Sequence, residues 1–105
     1  MAQRVFFLTR LRPGIRPEDY EGWLRTVDYP FSARLRTLRR YDVTRIGGLF
    51  QGQGSAEWHY LEVMDVTDLE AYRQEVTTGP DIEAFFKAWS SFIGESMAYH
   101  GEVIE

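Results

Sequence analysis

The chain has no cysteine. Disulfides, iron–sulfur clusters and thiolate zinc sites are excluded with it. That composition is compatible with a reducing compartment, and a cytoplasmic location is the expectation. No apolar run approaches the roughly 20 residues that a membrane-spanning helix needs. The opening Met1-Ala2-Gln3-Arg4 leads into a strand-like run too short and too charged for a secretory leader. No membrane partner is expected. Basic excess is missing too: the formal net charge is −4, which argues against general nucleic-acid binding. His59 and His100 are the only histidines, and neither stands in a metal-ligand spacing, so no metal is expected. Gly52-Gln53-Gly54 lacks the third glycine of a dinucleotide fingerprint and leads into a strand. No Lys-Ser or Lys-Thr completes a phosphate-binding loop. Gly94-Glu95-Ser96-Met97-Ala98 mimics a nucleophile elbow, but it runs from helix to strand, the reverse of the required order. Ser96 is therefore set aside as a nucleophile.

What is present is a chain of 105 residues, which fits a single domain over residues 1–105. Aromatic residues make up 15% of it, more than one small core needs. Some of them should line a pocket or a subunit interface. Charge is divided unevenly: residues 1–45 carry ten arginines against five acids, and residues 46–105 carry two basic residues against eleven acids. The halves can neutralise each other or a second subunit, although a solvated mixed surface explains the pattern as simply.

Residues 4–10 are β-branched and aromatic, and they predict a strand closed by the turn Pro13-Gly14. Pro17 suits a helix start, with Glu18 and Asp19 near its positive end. Tyr20, Trp23, Leu24 and Val27 form one helical face, and Pro30 is expected to stop the helix near Asp28-Tyr29. Phe31, Leu35 and Leu38 suggest a further short helical segment. Residues 41–46 predict a second strand, residues 47–55 a glycine-rich connection, and residues 57–66 a third strand. Thr67-Asp68-Leu69-Glu70 reads as a capping box with Thr67 as N-cap. A helix carrying Leu69, Tyr72 and Val76 follows. Gly79-Pro80 separates it from a second helix with the broad face Ile82, Phe85, Phe86, Trp89 and Ile93. Gly94 is expected to cap that helix, and residues 97–104 to form a last strand.

The order is β-α-β-β-α-β with an extra helix. That is an α+β, ferredoxin-like split βαβ pattern: an antiparallel sheet with helices on one face. Both parities of the third strand, Glu57/His59/Leu61/Val63 and Trp58/Tyr60/Glu62/Met64, carry apolar residues. Neither sheet face can then be fully solvated, and a homodimer that buries the helix-free face is expected.

His59 is the candidate for chemistry, because imidazole exchanges a proton near neutral pH. Position alone favours the plainer reading, a core histidine satisfied by one hydrogen bond. Asp28 ends the first helix at the unfavourable end of its dipole, so it needs a partner such as Tyr29, an arginine or His59. An exposed loop acid is the alternative. Phe7, Trp23, Phe31, Tyr41, Phe86, Trp89 and Tyr99 are candidates to wall a cavity for an aromatic ligand, with only some of them expected to touch it.

Val27-Asp28-Tyr29 after the first helix and the run His59-Tyr60-Leu61-Glu62-Val63-Met64-Asp65-Val66-Thr67 resemble the REDY-like (HapK-type) proteins, members of the dimeric α/β-barrel superfamily. Length and element order extend the resemblance over nearly the whole chain. It implies a homodimer and a place in prodiginine or bis-indole biosynthesis. It further implies a cofactor-independent, redox-neutral enzyme that directs a reactive indole- or pyrrole-derived intermediate by acid–base chemistry. Under it His59 transfers the proton, Asp28 orients His59 or a water, and Tyr29 assists. Two rivals stand beside this reading: a cofactor-independent monooxygenase acting on a quinol or polyketide, and a non-catalytic dimer that holds an unstable intermediate. A haem-binding variant using His59 as ligand is a remoter option.

Overall fold

A computed structural model describes residues 2–105. Strand β1 (Gln3–Leu11) enters a helical run made of α1 (Pro17–Trp23), a π turn (Leu24–Asp28) and α2 (Tyr29–Ser32). Strands β2 (Leu38–Arg45) and β3 (Tyr60–Val66) follow, then α3 (Leu69–Glu75), α4 (Pro80–Phe92) and β4 (Ile93–Glu102). The four strands form one sheet in the order β2-β3-β1-β4. Every pairing is antiparallel, so the expected ferredoxin-like α+β architecture is the one found. Among the described residues no helix is long and apolar enough to cross a membrane.

Register decides which side chains meet the helices. Val5, Phe7 and Thr9 of β1 stand opposite Met64, Glu62 and Tyr60 of β3. This face is covered. Leu11, Tyr20, Leu24, Tyr60 and Ile93 form one buried cluster, and Val5, Met64 and Val66 form another. The opposite parity carries Phe6 across from Val63 and Tyr99, and Leu8 across from Leu61 and Met97. Among the described residues no helix covers that second face, and Met97 and Tyr99 are about half exposed on it.

Several boundaries differ from expectation for physical reasons. Pro30 does not stop the first helix. The Tyr29 N–H donates to the Leu24 carbonyl, five residues back, and the widened turn carries the chain past the proline to Ser32. The extra residue also changes which side chain points inward: Asp28 is 2% exposed, whereas Val27, expected on the apolar face, is 40% exposed. No helix continues over residues 33–37. There Glu75 of α3 accepts hydrogen bonds from the Arg36 and Thr37 amides at 2.8 and 2.9 Å, and β2 starts at Leu38. Strand β3 starts at Tyr60 rather than at residue 57. The N-cap of α3 is Asp68, whose carboxylate accepts from the Ala71 amide at 2.9 Å; the Thr67 amide instead donates to the Thr37 carbonyl. Gly94 lies inside β4 and caps nothing. A Cβ there would meet the Arg12 Cα at 3.3 Å, so the residue serves the close approach of two backbones.

Candidate active site

The helix-covered face of the sheet encloses a cavity of about 100 Å³. Its walls are apolar and largely aromatic: Phe7 from β1, Phe31 from α2, Met64 from β3, Tyr72 from α3, and Phe85, Phe86 and Trp89 from α4. Phe31 stacks on Phe85 with ring centroids 4.2 Å apart, and Phe7 meets Trp89 edge-on at 6.1 Å. Such pairs contribute about 1 kcal/mol each beyond their burial and hold the walls in place.

Two carboxylates stand in this apolar enclosure. Asp28 arrives from the π turn and Glu62 from the middle of β3, which is 5% exposed. Asp28 accepts hydrogen bonds from the Ser32 hydroxyl at 3.1 Å and from the Tyr41 hydroxyl. The same Tyr41 oxygen lies 3.2 Å from Glu62 Oε1. A phenol has a single hydrogen. If Asp28 takes it, the Tyr41–Glu62 contact is a hydrogen bond only when Glu62 carries a proton and donates it. Electrostatics agree. Burial, reinforced by the charge of Asp28, pushes the Glu62 carboxyl up to about 7. Burial pushes Asp28 upward too, against the hydrogen bonds from Tyr41 and Ser32. Burial and both carboxylates drive Tyr41 far above the ordinary phenol range, so it stays a neutral donor. Glu62 Oε2 is buried and has no hydrogen-bond partner among the described residues. The arrangement can hold one proton between two carboxyl groups and present one carboxyl oxygen to a guest.

The expected site residues divide by location. Asp28, Phe7, Phe31, Tyr41, Phe86 and Trp89 come together around the cavity. Trp23 does not; it packs behind the wall against Tyr20, Phe85 and Phe92. Tyr99 lies on the helix-free face of the sheet, because its neighbour Ala98 pairs with Phe7 and strand parity turns Tyr99 the other way. Tyr29 packs on Tyr41 from outside the cavity, and its hydroxyl accepts from the Val43 amide at 3.0 Å. His59 is exposed, and it stands at the mouth of β3 in a separate cleft. Its Nδ1 accepts a hydrogen bond from the Leu11 amide at 3.0 Å, which leaves the ring proton on Nε2. Asp28 and His59 therefore do not meet. Glu62 is the residue that sequence reasoning passed over. The signal available was a lone carboxylate between Tyr60 and Met64 on one strand parity. Among the described residues no three His, Asp or Glu side chains converge as metal ligands would.

The family description "REDY-like protein HapK" matches residues 3–104. The chain belongs to the REDY-like (HapK) family. Among solved structures, HapK from Hahella chejuensis is similar at 27% identity and a TM-score of 0.76, covering 97% of this chain and 92% of that one. An ethyl tert-butyl ether d (ethd) family protein from Bacillus halodurans matches at 22% identity and a TM-score of 0.75, over 99% of this chain and all (100%) of that one. A dimeric ferredoxin-like protein of unknown function from Thermobifida fusca matches at 18% identity and a TM-score of 0.73, over 98% and 92% of the two chains. The last two likenesses concern the fold alone. No curated protein matches the chain. Membership in the REDY-like family accounts for the frame, and the carboxylate pair is what this chain's residues build inside it.

Proposed function

We propose that this REDY-like protein is a cofactor-independent acid–base enzyme of secondary metabolism acting on a small nitrogen-containing aromatic ring, with Glu62 as the proton carrier. The observation that carries the reading is a buried glutamate with one unpartnered oxygen inside an aromatic cavity. Asp28 and Tyr41 hold its charge state, and the apolar walls exclude water from a reactive guest. At about 100 Å³ the space beside Glu62 is smaller than the roughly 150 Å³ cavity that accommodates benzene, so it suits no more than a single small ring such as a pyrrole. The remainder of a larger substrate would extend past Phe86, which is 39% exposed. The resemblance to proteins of prodiginine and bis-indole pathways supports a pyrrole- or indole-derived substrate. It assigns proton transfer to His59, whereas the enclosure and the neighbouring charges favour Glu62.

The unpartnered sheet face supports a homodimer, and two structural relatives are described as dimeric. The test of the chemistry needs no native substrate. Ring C–H exchange of indole and of pyrrole in heavy water should be faster with the protein than in buffer. Glu62→Gln should remove the acceleration by about 100-fold or more, in the range that general acid–base groups supply. His59→Gln should keep most of it. Exchange no faster than buffer overturns the acid–base reading. Loss in His59→Gln with retention in Glu62→Gln overturns the assignment to Glu62.

A further inference from the structure

A second cleft, which shares no lining residue with the Glu62 cavity, opens between the β1–α1 turn and the ends of β2 and β3. Its volume is about 550 Å³, within the span typical of small-molecule sites. Among the described residues three arginines line it, Arg10, Arg12 and Arg45, and no carboxylate does. Their existing partners differ. Arg45 is held by Glu21 at 2.5 Å and is neutralised there. Arg12 donates its Nε to the Ser90 carbonyl at 2.9 Å and meets no carboxylate among the described residues. Arg10 pairs with Glu57 and Glu95 at 3.5 Å each and lies over the Trp58 ring at 4.8 Å, and its Nε is buried with no hydrogen-bond partner among the described residues. His59 adds a fourth donor, because the Leu11 amide occupies Nδ1 and leaves Nε2–H free. Arg12 and His59 thus bring donors that no carboxylate meets among the described residues, and the buried, unmatched Arg10 Nε costs free energy that an anion would recover. The other wall is apolar, with Ile15 and Ile46 half-buried on it.

We propose that this cleft binds an organic carboxylate, its head group on Arg10, Arg12 and His59 Nε2–H and its apolar body against Ile15 and Ile46. Guanidinium and carboxylate match in shape and charge, and the apolar wall separates such a ligand from a simple inorganic anion. The proposal is independent of the acid–base reading of the Glu62 cavity.

The experiment is an amide-resonance titration of the ¹⁵N-labelled full chain with indole-3-acetate, its neutral analogue indole-3-acetamide, and inorganic phosphate. The Leu11 amide, which donates to His59, is the reporter. Indole-3-acetate should shift it saturably, and the neutral amide should bind about tenfold more weakly or worse. Arg12→Gln should weaken the acid about fivefold or more, and Arg12→Lys should recover part of that, since lysine keeps the charge without the fork. Glu62→Gln should leave this titration unchanged. Equal affinity for acid and amide, shifts confined to the Glu62 cavity, or no saturable shift at the solubility limit each overturn the proposal. Phosphate binding as tightly as the acid overturns the role of the apolar wall. A dispersed spectrum of each variant establishes that it is folded.

Discussion

A carboxyl group buried against aromatic rings binds its proton more tightly in the folded chain than in the unfolded one. For Glu62 the two values are about 7 and 4.5, so the sign of the pH dependence is set. Between them the folded state holds the extra proton. The contribution is complete below pH 4.5 and is lost as the pH rises to about 7, an effect of about 3 kcal/mol at most. Asp28, also raised, acts in the same direction. Glu21 and Asp65, lowered by Arg45 and Arg4, act in the opposite sense at more acidic pH and leave this window to the buried pair. The wild-type melting temperature should therefore fall from pH 5 to pH 7.5, and Glu62→Gln, which stays neutral throughout, should flatten most of the slope; parallel melting profiles for the two proteins would refute the raised value. Tyr41→Phe tests the bridge itself. It leaves one Asp28 oxygen without its donor in a buried site, at a cost of about 2 kcal/mol in urea unfolding.

The first helical run owes its shape to a mismatch of periods. Tyr20, Leu24, Asp28 and Ser32 are all buried, a constant stride of four residues. A straight α-helix at 3.6 residues per turn would rotate such a row by about 40° per step, away from the sheet. The π turn absorbs the excess, and Pro30 favours it, since the ring collides with a carbonyl four residues back in a regular helix. Deleting the exposed Thr26 removes the surplus residue and forces an α turn onto Pro30. That deletion should cost about 3 kcal/mol, and adding Pro30→Ala should recover most of it, read as paired urea midpoints. Full stability of the single deletion would show that the proline does not hold the turn. The order of elements along the chain and the doubly apolar β3 were legible in the sequence because alternation and turn residues are local signals. Asp28 was legible as an acid at the wrong end of a helix. The π turn was not: Pro30 signals only an interruption, and whether the chain stops or widens is decided by packing on the sheet. Glu62 stayed hidden because both parities of β3 are apolar, so alternation alone does not say which parity meets the helices. His59 drew attention by its chemistry, yet its position one residue before β3 hands its ring to the Leu11 amide.

Across the whole molecule, the helix-free sheet face has the composition of an interface. Phe6, Leu8, Leu61 and Val63 occupy its middle. The Arg4–Asp65 pair at 2.5 Å and Arg40 beside Asp42 lie toward one end, and Arg10 beside Glu95 toward the other. An apolar centre with charged edges is how two copies meet around a two-fold axis, each residue facing its own equivalent or a symmetric partner. An interface centred on this apolar patch would bury Leu61 of both copies in one dry layer. Leu61→Lys then places two like charges in that layer, which costs several times what a surface substitution does. The variant should sediment as a monomer at concentrations where the wild type is a dimer. The Glu62 cavity faces the helices, on the opposite parity, so the monomer should keep its amide pattern around Trp89 and Tyr41. A wild-type chain that sediments as a monomer at high concentration would leave this apolar face unexplained by self-pairing. A dimeric Leu61→Lys would move the contact to another surface. Loss of the Trp89 and Tyr41 pattern along with the dimer would mean that the sheet holds its register only when paired, and that the carboxylate pair depends on the second subunit.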